Sequence, residues 1–337
     1  MKIVSSVIVA ILGLCLSAEA PAQARVYKLR LAASLSVKDV FVVRQQQMVD
    51  RIRERSKGAV AITIFPSDTL MKAADAPKEV GRGTIDMDSV GIQFYSGISD
   101  IAGILTPGFI GVTVADALHM LEPGKEGRKL ADEEFARLGI KILSYWNQDD
   151  IGFVSFAPLA TVESFRGKRL RISGEISTRV LRTLGAEPTV MAGSEAVDAM
   201  RRKIIEGSSC QPTCIVARGY MDFASWYNLW TVDPFLGALS INLKLWNSMP
   251  EDLRKIIQEE ADAAAKDQTE LQATRQSQTM WKLANEYGMS LQAIKPAELA
   301  KLRTIAKPVF EDFVKKAKPQ PQAARAAELL LEAAARK

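Results

Sequence analysis

The apolar residues between positions 27 and 91 switch repeatedly between strand and helix periodicity, and few folds accommodate such a pattern. YKLRLAAS reads as a strand that ends in the polar loop SLSVKD. VFVVRQQQMVDRIRERSKG then places Val40, Val43, Val49 and Ile52 at helical spacing, with Gly58 as a stop. In AVAITIFPS, Val60, Ile62 and Ile64 share one face of a strand closed by Pro66. A short helix from about Ala73 to Arg82 follows, and GTIDMDSVG supplies a third strand. The order βαβαβ joins strands through helical crossovers, so it predicts a parallel sheet with helices on its faces. Ligands of such sheets gather beyond the carboxyl ends of the strands. Ser34 and the stretch Ser89 to Tyr95 therefore fall on the ligand side.

A second unit of the same kind follows. A helical stretch runs through ADALHMLEPGKEGRKLADEEFARLG, broken near Pro123 and Gly124, and GIKILSYWNQDD is a strand with a polar end. From about Gly152, FVSF, RLRIS and PTVM read as short strands, with helices near Ile176–Leu184 and Glu195–Ile205. Asn228 to Pro234 is a return crossing. The stretch from Asn247 to Gly288 is mostly helical, with a capping box expected from Ser248 and Glu251 and Pro250 tolerated in the first turn. One more strand-like piece and a helix follow, then the linker KPQPQ and a terminal amphipathic helix. The expected fold is α/β with two lobes joined at a hinge. Residues 25–148 and 235–275 are assigned to one lobe, 149–234 and 276–317 to the other, and 318–337 to the C-terminal linker and helix. Two such lobes enclose a cleft that closes by hinge motion.

The first 24 residues, MKIVSSVIVAILGLCLSAEAPAQA, carry Lys2, an apolar run from Ile3 to Leu16, and small residues at Ala22 and Ala24. This is the layout of a secretory signal peptide, with cleavage expected after Ala24 or, as a second option, Ala20. The apolar run is shorter than the ~20 residues a membrane span requires. Leu14 before Cys15 does not suit a lipid-attachment site. The expected destination is the periplasm. Cleavage would remove one lysine and one glutamate, so the net charge of +5 is unchanged. Basic and acidic residues alternate in sign, without a basic block interleaved with aromatics, which argues against a nucleic-acid partner.

The 337 residues contain one histidine, His119, placed in an amphipathic helical stretch. A Ser-His-Asp triad or a multi-histidine metal site would have to be built on that residue alone, so neither a catalytic site nor a bound metal or cofactor is expected. Beyond the leader, Cys210 and Cys214 in SSCQPTC are the only cysteines. A disulfide, two thiols and a partial metal site all remain open for this pair, and a bridge over so short a loop adds little stability.

Several stretches, taken in order, resemble the DctP-type solute-binding proteins of tripartite ATP-independent periplasmic (TRAP) transporters. They are LRLAASL near the start, GAVAITIFPSDTL, GTIDM at Gly83 to Met87, Tyr145-Trp146, FRGKRLRI, Gly185 to Pro188, Ser194 to Met200, and SMPEDLRKII at Ser248 to Ile257. The resemblance runs from about Lys28 to Glu260. It implies a two-lobed periplasmic binding protein fold, its lobes joined by crossing strands and bound by one long helix spanning both, with a solute held between them and delivered to membrane permease subunits driven by an ion gradient. It also implies that the arginine of the KRLRI motif, Arg171, pairs with the carboxylate of an organic acid.

The residues support that role independently. In RLRIS the two-residue period puts Arg169, Arg171 and Ser173 on one face, with Leu170 and Ile172 on the other. Packing of the apolar pair aims Arg171 at the cleft, where a guanidinium fork matches a carboxylate. The bland alternative is an internal ion pair, for instance with Glu175. Further candidate ligand-binding positions are Ser34 in the first loop, Gln93 and Tyr95 after the third strand, Trp146 and Asn147 towards the hinge, Gln211, and Trp226 as an apolar wall. Three positions depart from the family pattern. Val154 stands where many members carry a second arginine, EGSSCQPTC replaces a segment in which asparagine is frequent, and Gly193 replaces an aromatic. These changes imply a less cationic, differently shaped pocket that disfavours a small dicarboxylate and favours a monocarboxylate, an aromatic or hydroxy acid, or a neutral solute, the monocarboxylate being the expected ligand. The expected molecule is a monomeric solute receptor. A secreted α/β hydrolase and a sensory binding protein without transport are the alternatives, the former weakened by the lack of a G-x-S-x-G elbow.

Overall fold

A computed structural model describes residues 25–336; the leader assigned to residues 1–24 lies outside the described residues. Among the described residues eleven strands form two sheets. The first contains β1 (Tyr27–Ala33), β2 (Val60–Phe65), β3 (Met87–Gly91), β4 (Ile140–Asp150) and β10 (Pro234–Asn242), in the order β2-β1-β3-β10-β4. The second contains β5 (Gly152–Ser155), β6 (Arg169–Ile172), β7 (Glu187–Val190), β8 (Gly207–Cys210), β9 (Trp226–Asn228) and β11 (Ser290–Gln292), in the order β11-β9-β5-β8-β6-β7. β1, β2 and β3 are parallel, as are β6, β7 and β8. Each parallel set is bordered by one antiparallel strand that has just crossed from the other lobe, β10 in the first sheet and β5 in the second.

Local sequence explains most of these elements. In β1, Tyr27, Leu29 and Leu31 are buried while Lys28 and Arg30 face out, the alternation of a strand covered on one side. The helix Val40–Arg55 begins where the Asp39 carboxylate accepts from the Phe41 N–H at 3.0 Å, and it ends with Arg53 and Arg55 in its last turn. β10 is buried along its whole length, so its sequence, PFLGALSIN, has no alternation. At Gly237 in that strand the Trp146 indole lies close against the backbone. A Cβ there would stand 2.8 Å from Cζ2 and closer still to Cε2 and Nε1. Gly237→Ala is therefore expected to lower stability by about 1–3 kcal/mol through overpacking, read as a fall in the denaturant midpoint at unchanged slope. An unchanged midpoint would show that the indole moves aside freely.

The two lobes are tied by several segments. β4 leads through Ile151 into β5, and the chain returns between β9 and β10. These crossings are joined by backbone bonds, Val232 N to Ile151 O at 2.9 Å and Ile151 N to Asp233 O at 3.2 Å. The helix Glu251–Asn285 packs against β4 in the first lobe and against the helix Pro212–Arg218 and β11 in the second. Arg51 and Arg55 both reach Glu260, and Arg44 reaches Asp267, fastening the helix Val40–Arg55 to it. The expected capping box at its start is not formed. Pro250 occupies the cap position, and the Ser248 hydroxyl instead donates to Leu245 O at 2.7 Å, closing the preceding short helix Leu243–Asn247. The helix Pro296–Lys316 packs on the second lobe, and Gln322–Ala334 returns to the first, where Arg325 holds Glu126 through two bonds of 3.0 and 2.9 Å. Among the described residues no helix is long and apolar enough to cross a membrane.

Candidate functional site

The carboxyl ends of the parallel strands of both sheets converge on one cleft, as the general rule for such sheets requires. From the first lobe come Ser34 and Leu35 after β1, Asp68 after β2, and Gln93 and Phe94 after β3. From the second come Arg171 and Ser173 at β6, Gly193 after β7, and Ser209 and Gln211 at the end of β8. The helix that follows β8 adds Cys214 and Arg218. The cleft is nearly shut, with a cavity of about 30 Å³. Ser194 Oγ donates to Asp68 Oδ2 at 3.1 Å, and Lys72 meets Glu195 at 2.6 Å, so the first lobe's β2 loop touches the second lobe's helix start.

Arg171 is where the alternation of RLRIS puts it. Leu170 and Ile172 pack into the core, Arg169 is exposed, and Arg171 is 6% exposed. Its Nε donates to Met191 O at 3.0 Å, and its Nη1 donates to Ser209 O at 3.1 Å and Ser209 Oγ at 3.4 Å. No carboxylate among the described residues is bonded to it, and Glu175 is exposed to solvent instead. Burial lowers its pKa to about 10, with Arg218 pushing the same way and Tyr220 and Asp68 opposing. Even so the guanidinium stays charged at neutral pH, a buried cation bonded to neutral oxygens only. Such a charge is costly unless an anion completes it. Two neighbouring groups are also incomplete: Gln93 Oε1, an acceptor, and Gln211 Nε2, a donor, are buried without a partner.

Four expected positions do not reach the cleft. Tyr95 is fully buried in the first lobe, its hydroxyl donating to Asp88 Oδ1 at 2.6 Å and its ring edge-on to Phe135. The buried Asp88 carboxyl needs that donor, which is why the ring turns inward. Trp146 packs on Gly237 within the core. Asn147 makes a local turn, its Oδ1 accepting from Asp149 N at 2.8 Å. Trp226 is half-buried on β9, opposite Ser155 and Ser290. Ser34, Gln93 and Gln211 do line the cleft. Val154 is fully buried in the second lobe's core.

The sequence reading missed Arg218. Its helix, Pro212–Arg218, carries two ordinary boundary signals, a proline in the first turn and Gly219 directly after the last residue. Cys210 and Cys214 are joined in a disulfide with a Cα–Cα distance of 6.0 Å, tying the end of β8 to that helix. The closed loop is short, so loop-closure entropy is worth about 2 kcal/mol at most. Reduction, or the paired Cys210→Ser and Cys214→Ser change, is expected to lower the unfolding free energy, read from denaturant titration, by no more than that amount. A loss of cooperative unfolding would show that the bridge does much more. His119, the lone histidine, lies outside the cleft beside Glu122 and Lys125.

A profile of the bacterial extracellular solute-binding protein family 7 (DctP) matches residues 32–317. The 2,3-diketo-L-gulonate-binding periplasmic protein YiaO of Escherichia coli K12 is 28% identical over 181 residues, 53% of this chain and 54% of its own length. The C4-dicarboxylate-binding periplasmic protein DctP of Rhodobacter capsulatus is 26% identical over 237 residues, 66% of this chain and 70% of its own. The crystal structure of DctP7 of Bordetella pertussis, an extracytoplasmic solute receptor binding pyroglutamic acid, superposes with a TM-score of 0.82 at 18% identity. It covers 92% of this chain and 99% of that one.

Proposed function

The chain belongs to the bacterial extracellular solute-binding proteins of family 7, and on that premise we propose that it is the periplasmic receptor of a TRAP transporter, binding a small organic acid at Arg171. The observation that carries this reading is the buried guanidinium of Arg171, which faces the interlobe cleft without a carboxylate partner among the described residues. The relatives are named for organic-acid ligands, a diketo-gulonate and C4-dicarboxylates, and the structural neighbour for pyroglutamate. A cavity of about 30 Å³ has room for one or two waters at most. A carboxylic acid therefore enters only when the lobes part, and residues 25–148 with 235–275 and 149–234 with 276–317 are the two bodies that separate. The hinge is the pair of crossings at Ile151 and Val232. The loaded, closed form is what membrane permease subunits receive, with no chemical change to the solute.

The test is to purify the protein without denaturation, record its native mass, then denature it and identify what is released. One carboxylic acid per chain is expected, recovered unchanged after prolonged incubation. A released neutral sugar or peptide, or conversion of the added acid into product, would overturn the proposal. Enzymatic conversion would favour the hydrolase alternative, for which the placement of His119 away from the cleft gives no support.

A further inference from the structure

We propose that Arg218 is a second anion-binding side chain and that, with Asp68 facing it across the cleft, it selects a monocarboxylic acid bearing an O–H or N–H donor beside its carboxylate. This rests on the reading of the cleft as an organic-acid site. Arg218 ends the helix Pro212–Arg218, lines the same cleft as Arg171, and makes no hydrogen bond or ion pair with another described residue. The two guanidiniums are near enough for Arg218 to disfavour the charge on Arg171. Two cations that repel one another and lack a bonded carboxylate are relieved by one anion placed between them.

Gly193 supplies the room. A Cβ at that position would lie 2.7 Å from the Arg218 Cζ and 2.8 Å from its Nη2, and closer still to Nη1. The guanidinium occupies the space that any side chain at residue 193 would fill. Glycine there and arginine at 218 are thus one arrangement, which replaces the cation that Val154 does not provide.

Asp68 decides the ligand's charge. Its Oδ1 accepts from Ala73 N at 3.2 Å and its Oδ2 from Ser194 Oγ at 3.1 Å, while both arginines act on it through space without bonding to it. Each oxygen keeps a lone pair for a donor in the cleft. Among the residues lining the cleft, two guanidiniums and one carboxylate leave a single positive charge, which a monoanion neutralises; Asp39, on which Arg218 also acts, lies outside that lining. A dicarboxylate would bring its second charge towards Asp68. A hydroxyl or amide N–H beside the ligand carboxylate would meet Asp68 as a donor, so hydroxy acids and lactam acids fit where succinate does not.

Calorimetry on the full chain tests this with two matched pairs, L-lactate against propanoate and L-pyroglutamate against tetrahydrofuran-2-carboxylate, and with succinate as the dianion. At least one donor-bearing acid is expected to bind at least ten times more tightly than its partner and than succinate. Arg218→Gln should weaken it tenfold to a hundredfold, Arg218→Lys less, each with an unchanged melting temperature. Unchanged affinity in Arg218→Gln, tightest binding of succinate, or no binding by either donor-bearing acid would overturn the inference. Arg171→Ala separates the two claims. If it abolishes binding while Arg218→Gln does not, only the role of Arg218 fails; if neither weakens binding, the organic-acid reading fails as well.

Discussion

Arg171→Met is expected to raise the Kd for the acid that the protein retains by roughly 30-fold to several-thousand-fold, while the ligand-free protein melts within a few degrees of wild type or above it. The first part follows from removing one partner of a buried, charge-assisted contact, worth about 2–5 kcal/mol. The second follows from what holds Arg171 in place. Its bonded partners are Met191 O and Ser209, all neutral, so the folded protein carries the desolvation cost of a cation without a bonded anion. Methionine fills a similar length and removes that cost. Against this, Met191 O and Ser209 O lose their donors, at about 1–3 kcal/mol for each group left buried and unpaired. The two effects are of similar size and opposite sign. A variant that bound normally would contradict the clamp. One that lost binding because it unfolded would be distinguished by its melting temperature.

Stability is expected to fall as pH rises from about 5 to 9, the second large effect. Four buried carboxyls have raised pKa values, each chiefly because burial disfavours the charge. Asp39 is pushed up to about 6, Asp88 and Asp149 to about 7, and Asp233 to about 8. An unfolded aspartate titrates near 4. Between these values the folded chain holds protons that the unfolded chain has released, so each unit of pH favours unfolding. The contribution is complete below about pH 4 and is gone above about pH 8. Carboxylates held below their ordinary range, such as Glu206 and Glu260 beside basic partners, act in the opposite sense and lose their contribution as pH falls below about 4.5. The maximum should therefore lie near pH 5. Asp233→Asn is the discriminating variant. Gly108 N donates to Asp233 Oδ1 at 2.9 Å and the Ser177 hydroxyl to Oδ2; an amide keeps the first bond through its oxygen and replaces the second by donating its N–H to the Ser177 oxygen. The variant should melt above wild type at pH 9 and show a shallower pH dependence. A melting temperature that rises from pH 5 to pH 8 would contradict the account.

The sequence made the start of the first lobe legible because its first two strands are covered on one side and alternate accordingly, as Tyr27, Leu29 and Leu31 do in β1 and Val60 and Ile62 in β2. It failed where burial is complete or local signals are small. β10 is buried on both faces and sits beyond the point where the return crossing was expected to end. β8 is four residues, GSSC, whose small side chains give no apolar pattern; its place between β5 and β6 buries it. Arg171 was readable because Leu170 and Ile172 flank it. Arg218 was not, because a helix of seven residues beside two cysteines invites a question about sulfur before one about charge. The aromatics misled in the other direction. Tyr95, Trp146 and Trp226 suit a pocket wall by type, but the Asp88 carboxyl, the bare backbone of Gly237 and an interior strand claim them instead. Val154 lies in the second lobe's core, and the second guanidinium that lines the cleft comes from a helix, at Arg218.

The central claim, a carboxylate held by Arg171 between closed lobes, is tested most directly by a crystal structure of the protein with its retained acid. A ligand carboxylate oxygen is expected about 2.7–2.9 Å from the Arg171 guanidinium, the distance of a charge-assisted bond, with Gln93 and Gln211 turned towards the ligand. A carboxylate bound elsewhere, or Arg171 still bonded only to Met191 and Ser209 beside an occupied cleft, would contradict it.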